Sequence, residues 1–316
     1  MGSLVGHVAP GLGFFIIGLW HLLNHIKLHA LRPNSYTSLP WFPTSKLKYL
    51  ELFLIMGACS ASIAMELFIG PNRHQPLDKD WTIPSNHLHN FEHSFISLSF
   101  FVYAALALVL DCCGGGGRTK STQHGLTQIL GAAAFGQQLL IFHLHSTDHM
   151  GLEGHYHWLL QIVIFISLLT TLMGIGYPNS FLISFVRSFS ILFQGVWLAT
   201  MGFMLWTPGF IPKDCFINFE DGHQVVRCNG HEGLERAKSL VNIEFSWYLI
   251  VFIVLSIGLY LFLIRFVYPE KEQEYESLSK YEEQDHEDVE AQKKIRRTKS
   301  FITMGKGSTT SMDIER

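Results

Sequence analysis

The sequence predicts an all-α fold: an integral membrane bundle of seven transmembrane helices followed by a disordered C-terminal tail. Composition is the first reason. Of 316 residues, 48% are hydrophobic, 16% are charged and 25 are Phe, which is more apolar and less charged than an ordinary soluble domain. The second is spacing, because seven apolar runs each reach the roughly 20 residues that a helix needs to cross hydrocarbon. The third is that much of the charge is held back until after Arg265. The chain therefore divides into a membrane domain, 1–268, and a polar tail, 269–316, with too few apolar residues to fold by itself.

In order, the runs are Leu4 to Ile26, Leu47 to Ile69, His87 to Leu110, Thr122 to Phe142, His155 to Ile175, Phe185 to Trp206 and Leu240 to Val267. The first has no basic segment before it and is too long for a cleaved signal peptide, so it is expected to stay as a span. After it, Arg32-Pro33-Asn34 and Leu39-Pro40-Trp41-Phe42-Pro43 cannot continue a helix, since proline lacks the amide donor. Trp41 and Phe42 there suit a headgroup belt. Cys112-Cys113 and the glycines after them read as a turn whose juxtamembrane thiols suit palmitoylation.

Basic residues set the orientation. Lys27, Arg32, Lys46 and Lys48, then Arg118 and Lys120, then Arg187, fall in three loops on the side of the basic tail, which the positive-inside rule makes cytosolic. The N-terminus is then lumenal or extracellular, in an endomembrane or the plasma membrane. The loop before the seventh run runs against this rule with Lys213, Arg227, Arg236 and Lys238. It also carries Cys215 and Cys228, which can pair only in an oxidising compartment.

Seventeen histidines bunch near the ends of these runs. The densest stretch, His143 to Gln161, reads HLHSTDHMGLEGHYHWLLQ and holds five histidines with Asp148 and Glu153. Ionisable groups at the edge of a bilayer are costly unless paired, ligated or wet, so the cluster is a site candidate. The orientation brings His7, Glu66, His87, His89, Glu92, His93, Asn242 and Glu244 to the same lumenal level. Residues four apart share a helix face, so His89 with His93 and His145 with His149 are the expected ligands of one divalent transition metal. Zinc comes first, then iron or copper. His7, His87, His143, His155 and His157 are further candidates, and Asp148, Glu92 or Glu153 would serve as ligand, orienting group or general base. For each histidine taken alone, an interfacial hydrogen bond is the plainer account.

A second constellation lies nearer the cytosol. Trp20, His21, Asn24, His25 and His29 share the first span, and Glu51 lies at similar depth on the second. His21, His25 and Glu51 are candidates for a proton relay, with Gln137, Gln138 and Gln194 as polar steps. Hydrogen bonds between helices explain the same residues.

With these residues in view, the segments Gly6-His7-Val8-Ala9-Pro10-Gly11, His87 to His93 and His143 to Gln161 resemble the transmembrane protein 45 family, specifically its plant branch. The resemblance covers the membrane region and leaves out the tail after Arg265. It implies a multi-pass membrane protein, in a family whose biochemical activity is not established and of which some plant members respond to virus or pathogen.

Three classes of function compete. A metal-dependent membrane enzyme would activate water or oxygen on a lipid, yet the chain has no adjacent His-His pair of the hydroxylase kind and no histidine in its last span. A proton or metal-ion transporter explains polar groups at two depths, although glycine- and proline-broken helices in matched halves are missing. A receptor or scaffold in stress or pathogen response needs only the seven spans and the tail. Bis-histidine haem ligation is a fourth reading. The partners expected are the lipid bilayer and, through Tyr275-Glu276-Ser277-Leu278, a cytosolic adaptor that reads tyrosine-based sorting signals. Arg296-Arg297-Thr298-Lys299-Ser300 would touch anionic lipid. No phosphate-binding glycine pattern occurs and no nucleic acid is expected.

Overall fold

The computed structural model describes residues 4–70, 75–114, 119–148, 151–220 and 223–269, and gives no side-chain environment for 145–148 and 223. All seven expected helices are present: α1 (Leu4–Leu31), α2 (Leu50–Ala64), α3 (Leu88–Cys113), α4 (Lys120–Asp148), α5 (Leu152–Gly176), α6 (Phe181–Trp206) and α7 (Gly230–Phe262). A π-helical turn, Met65–Ile69, extends α2. A separate π-helical turn covers Leu263–Val267. The tail from 270 onward, with the Tyr275 to Leu278 motif, lies outside the described residues.

Two boundaries move far enough to matter. The fourth helix runs past Phe142 to Asp148, so the histidine-rich stretch begins on one helix and, from Leu152, continues on the next. The seventh begins at Gly230, ten residues before the apolar run, which places Arg236 and Lys238 on a helix. The loop expected before it is built as a hairpin of β1 (Cys215–Glu220) and β2 (His223–Cys228), antiparallel, with Cys215 opposite Cys228. Those two cysteines are joined in a disulfide.

The helices alternate in direction, and the first six close a ring: α1 packs on α6, then α5, α4, α3 and α2 follow, and α2 returns to α1. Helix α7 packs outside against α5 and α6. Of the apolar window of α6, 67% is buried, against 6% for α7, so α6 is a central element and α7 a lipid-facing one. Large exposed side chains such as Leu182, Trp247 and Val254 would be an anomaly in water. On a membrane bundle they are the lipid-facing surface.

The α1–α6 pair sets the frame. A Cβ on Gly18 would sit 2.2 Å from Leu192 N, and one on Gly195 would sit 2.2 Å from Phe15 N. The two backbones therefore touch along a seam that only glycine permits, as small residues do between membrane helices. The contacts run in opposite order, Gly202 beside His7 and Gly18 beside Leu192, so the pair is antiparallel. Its two ends are the two places where polar chemistry collects. The end that carries the disulfide hairpin is called the hairpin end below, and the other the opposite end.

Candidate functional site

At the opposite end, α1 presents His21 and His25 one turn apart, because residues four apart share a face. Both are buried, His25 completely. Glu51 opens α2 and is 3% exposed. Its Oε1 is 2.7 Å from His21 Nε2. Its Oε2 accepts from Trp20 Nε1 at 2.9 Å and from the Phe42 backbone N–H at 2.8 Å. Indole and amide donors are thus both aimed at one carboxyl oxygen of Glu51.

Arg187 completes the arrangement. It lies in the second turn of α6 and is only 4% exposed. Nη1 donates to Gln128 Oε1 at 2.7 Å, while Nη2 reaches His25 Nε2 at 3.2 Å, Ser38 Oγ at 3.2 Å and the Leu39 carbonyl at 3.1 Å. A guanidinium has donors only, so His25 Nε2 accepts and the ring carries its proton on Nδ1. That nitrogen is 2.8 Å from the Tyr36 hydroxyl. Tyr36 also bonds to Ser184 and Ser38, and burial pushes its phenol above the ordinary value, so it stays protonated.

The segment between α1 and α2 makes this possible. Trp41 and Phe42, expected at a headgroup belt, are buried, and so are Tyr36 and Ser38. The chain turns back into the bundle, where Ser38 N–H donates to the Pro178 carbonyl at 2.7 Å and Tyr103 donates to the Pro40 carbonyl at 3.0 Å. Phe42 lays its ring edge-on to His21 and His25, at 5.3 and 4.7 Å. Irregular backbone at this depth is tolerated because protein, not lipid, surrounds it. Arg187 likewise departs from its expected place in a cytosolic loop, since the sixth helix starts at Phe181 and takes Arg187 inside.

His21 and His25 do not bond directly. Their ring centroids are 6.0 Å apart, edge to face, and His21 Nδ1 is buried with no partner among the described residues. Glu51, His21, His25, Tyr36, Arg187 and Gln128 thus form one buried network with a single gap. Of these, His21, His25 and Glu51 were named from sequence. Tyr36 and Gln128 were missed, and Arg187 was misplaced. The available signal was an arginine inside the apolar run FLISFVRSFS, which in a membrane marks a buried partner.

The hairpin end gathers the other candidates in pairs. His93 Nδ1 is 3.3 Å from Glu66 Oε1, and Asn90 donates to Glu66 Oε2 at 2.8 Å. His89 Nδ1 faces Glu92 at 3.4 Å, half-exposed. His143 Nδ1 is 3.1 Å from Gln161 Oε1, and His155 Nε2 is 2.8 Å from Asn242 Oδ1. His87 Nδ1 is 3.3 Å from the Pro76 carbonyl. His7 and His157, both buried, bring their rings to 5.7 Å. His7 stacks on Trp206 and His157 on Phe142. Glu153, also buried, lies a turn from His157, whose Nδ1 is 3.1 Å from the Glu153 carbonyl.

Above this end sits the hairpin. Val225 and Val226 are buried, with Val226 in one cluster with Leu152 and Tyr156. Arg227 is raised above its ordinary value chiefly by its hydrogen bond to Glu220, with the Glu153 charge adding to it. His149 and the side chains of His145 and Asp148 lie outside the described residues. Among the described residues, no three of His, Cys, Asp and Glu converge as a metal site. Of the sequence pair His89 and His93, His93 lies against Glu66 on the π-helical turn and His89 against Glu92.

An apolar groove of about 640 Å³ lies elsewhere, walled by Leu12, Phe15, Ala199, Phe203 and Tyr248. It carries no ionisable lining except Tyr248.

Comparison with known proteins agrees with this architecture and adds no chemistry. Residues 124–261 match a family of unknown function, DUF716. That region takes in α4 to α6, the hairpin and nearly all of α7. The chain is also similar to transmembrane epididymal protein 1A of Mus musculus, 24% identical over 217 residues, covering 66% of this chain and 68% of that protein. Transmembrane epididymal protein 1 of Rattus norvegicus is 25% identical over the same extent. The Homo sapiens protein of that name is 36% identical over 70 residues, 22% of this chain and 26% of its own length. The chain is an integral, multi-pass membrane protein similar to these.

Proposed function

We propose that this protein moves protons, alone or coupled to a solute, across its membrane, and that the network at the opposite end is where the proton is held. The observation that carries the reading is the buried pair of Glu51 and His21, 2.7 Å apart, separated by one gap from His25, which bonds Tyr36 and Arg187. Intramembrane carboxylates and imidazoles are costly to keep, and relays in membrane transporters are where they recur. Glu51 exchanges a proton with His21 Nε2. His25 holds its proton on Nδ1 toward Tyr36, and Arg187 fixes that tautomer and balances the Glu51 charge. The disulfide supports placing the hairpin end in a lumen or outside the cell, so the network faces the cytosol and the C-terminal tail follows it there. The motifs at Gly6 to Gly11 and His143 to Gln161 support placing the chain in the plant branch of the transmembrane protein 45 family.

Purified protein in liposomes loaded with a pH-sensitive dye tests this. Wild type should collapse an imposed pH gradient faster than empty liposomes, and Glu51→Gln should return the rate to the empty-liposome level. A wild-type rate equal to that of empty liposomes, or a Glu51→Gln variant as fast as wild type, overturns the reading.

A second reading, a transition-metal site at the hairpin end, is favoured by one observation: the buried His7 and His157 rings stand 5.7 Å apart beside the His143 to Gln161 stretch. Two imidazoles suit zinc, iron or copper, and His145, Asp148 and His149 remain ligand candidates from the sequence alone. The carboxylates on His93 and His89 are arranged as groups that orient metal ligands elsewhere. Such an ion would act on lipid as an enzyme does, or be the cargo. Elemental analysis of detergent-purified wild type against His157→Ala and His145→Ala decides it: metal lost in both variants supports the site, and metal equal to wild type in both removes it.

A further inference from the structure

Between the two polar ends the bundle has a middle, and it is not wholly apolar. Gln194 lies seven residues beyond Arg187 on α6, so it shares that face about 10 Å further along. It is fully buried, and neither its Oε1 nor its Nε2 has a partner among the described residues. On α4, Gln138 falls between Phe135 and Phe142. Those rings point inward, because Phe135 meets Phe100 at 5.4 Å and Phe142 meets His157 at 5.6 Å. Gln138 is 1% exposed and its Oε1 is also without a described partner.

Polar groups lead toward this level from each end. From Arg187, Ser190 comes next on α6 and accepts from Ser167 of α5 at 2.9 Å. From the hairpin end, Gln161 bonds His143 and the Phe142 carbonyl. Beside them Phe100 of α3 meets Phe14 of α1 and Phe135 of α4 edge to face, each pair at 5.4 Å, an apolar cluster shared by three helices. Gln137 is not part of the path, since it donates to the Phe95 carbonyl on α3.

A buried amide without a partner forfeits its hydration with nothing in return. Native proteins satisfy such groups with internal water where the site is polar. We propose that Gln194 and Gln138 hold water molecules in the middle of the bundle, and that this water continues the polar path from Arg187 and Ser190 to Gln161 and His143, past the apolar cluster formed by Phe14, Phe100 and Phe135. The proposal extends the proton-transport reading, because it supplies the transmembrane half of the route, but it is tested without measuring transport.

X-ray hydroxyl-radical footprinting of the full chain in detergent, read by mass spectrometry, generates radicals from bound water and labels the side chains that touch it. Phe135 and Leu198, each buried and within about one turn of a glutamine, should be labelled in wild type several-fold above Val241, which is buried in the same apolar cluster as Leu198 but on α7, away from both glutamines in sequence. Gln194→Met should lower the Leu198 label to the Val241 level, and Gln194→Asn should keep it. Should Gln194→Met fail to fold, the wild-type comparison and Gln138→Met at Phe135 still decide. Phe135 and Leu198 labelled no more than Val241 in wild type means a dry interior and overturns the inference, even if the pH gradient collapses through Glu51. Labelled residues with a Glu51→Gln variant as active as wild type would instead defeat the proton-site reading and leave the hydrated middle standing.

Discussion

Replacing Arg187 by Ala should be among the most destabilising single changes in this protein. The guanidinium donates to Gln128, Ser38, the Leu39 carbonyl and His25 from a position 4% exposed. An alanine leaves the Leu39 carbonyl and the Gln128 carbonyl buried without that donor, and leaves the Glu51 charge without its nearby balance. Breaking a buried charge arrangement from one side costs about 3–5 kcal/mol. At about 2–4 °C per kcal/mol for a chain of this order, the midpoint of thermal unfolding in detergent should fall by roughly 6–20 °C. Arg187→Lys should fall between the two, because an ammonium is a point donor that cannot serve acceptors on two sides as the fork does. The assay is fluorescence-detected size exclusion after heating, with all three proteins in one detergent. If Arg187→Ala melts within about 2 °C of wild type, the guanidinium is not what holds the re-entrant 36–42 segment, and the network as described is wrong.

The glycine seam predicts a contrast between the two helices of one pair: Gly195→Leu on α6 should abolish recovery of monodisperse protein, since its Cβ would meet Phe15 N at 2.2 Å, whereas Gly13→Leu on α1, with nothing within 4 Å, should be recovered like wild type. The disulfide closes a loop with a sequence separation of 13, for which the chain-entropy estimate is about 3 kcal/mol; Cys228→Ser should lower the melting midpoint measurably. Cys215 and Cys228 should react with maleimide only after reduction, while the exposed Cys112 and Cys113 react before it. Tyr36→Phe should keep the fold with a loss of about 1–3 kcal/mol, because the buried His25 Nδ1–H is left without its acceptor; in the liposome assay it should slow gradient collapse if the His25 to Tyr36 bond carries the proton, and an unchanged rate would take Tyr36 out of the route.

How much of this was legible beforehand follows from the physics of each feature. Hydrocarbon thickness sets one length for every span, so seven apolar runs gave seven helices, with the span boundaries off by a few residues wherever polar residues continue a helix into the interface, as at His143 to Asp148 and Gly230 to Ser239. The cost of burying ionisable groups in lipid is also a property of the residue itself, which is why His21, His25 and Glu51 could be named together. Arg187, Tyr36 and Gln128 could not be joined to them, because nothing local in Phe181 to Trp206 or in 32–49 says which helix lies opposite. That partner choice depends on the α1–α6 seam, where Gly11, Gly18, Gly195 and Gly202 allow backbone contact and so bring His25 to Arg187 and His7 to Trp206. The division of His89 and His93 between Glu92 and Glu66 was equally hidden. A four-residue spacing fixes a shared helix face, and only the packing of α2 on α3 decides what that face meets. By itself, then, the sequence determined a seven-helix membrane protein with ionisable groups at two depths, since both follow from single-residue transfer costs. Which of those groups touch was decided by tertiary structure, since contacts between helices arise from close packing that no one segment encodes.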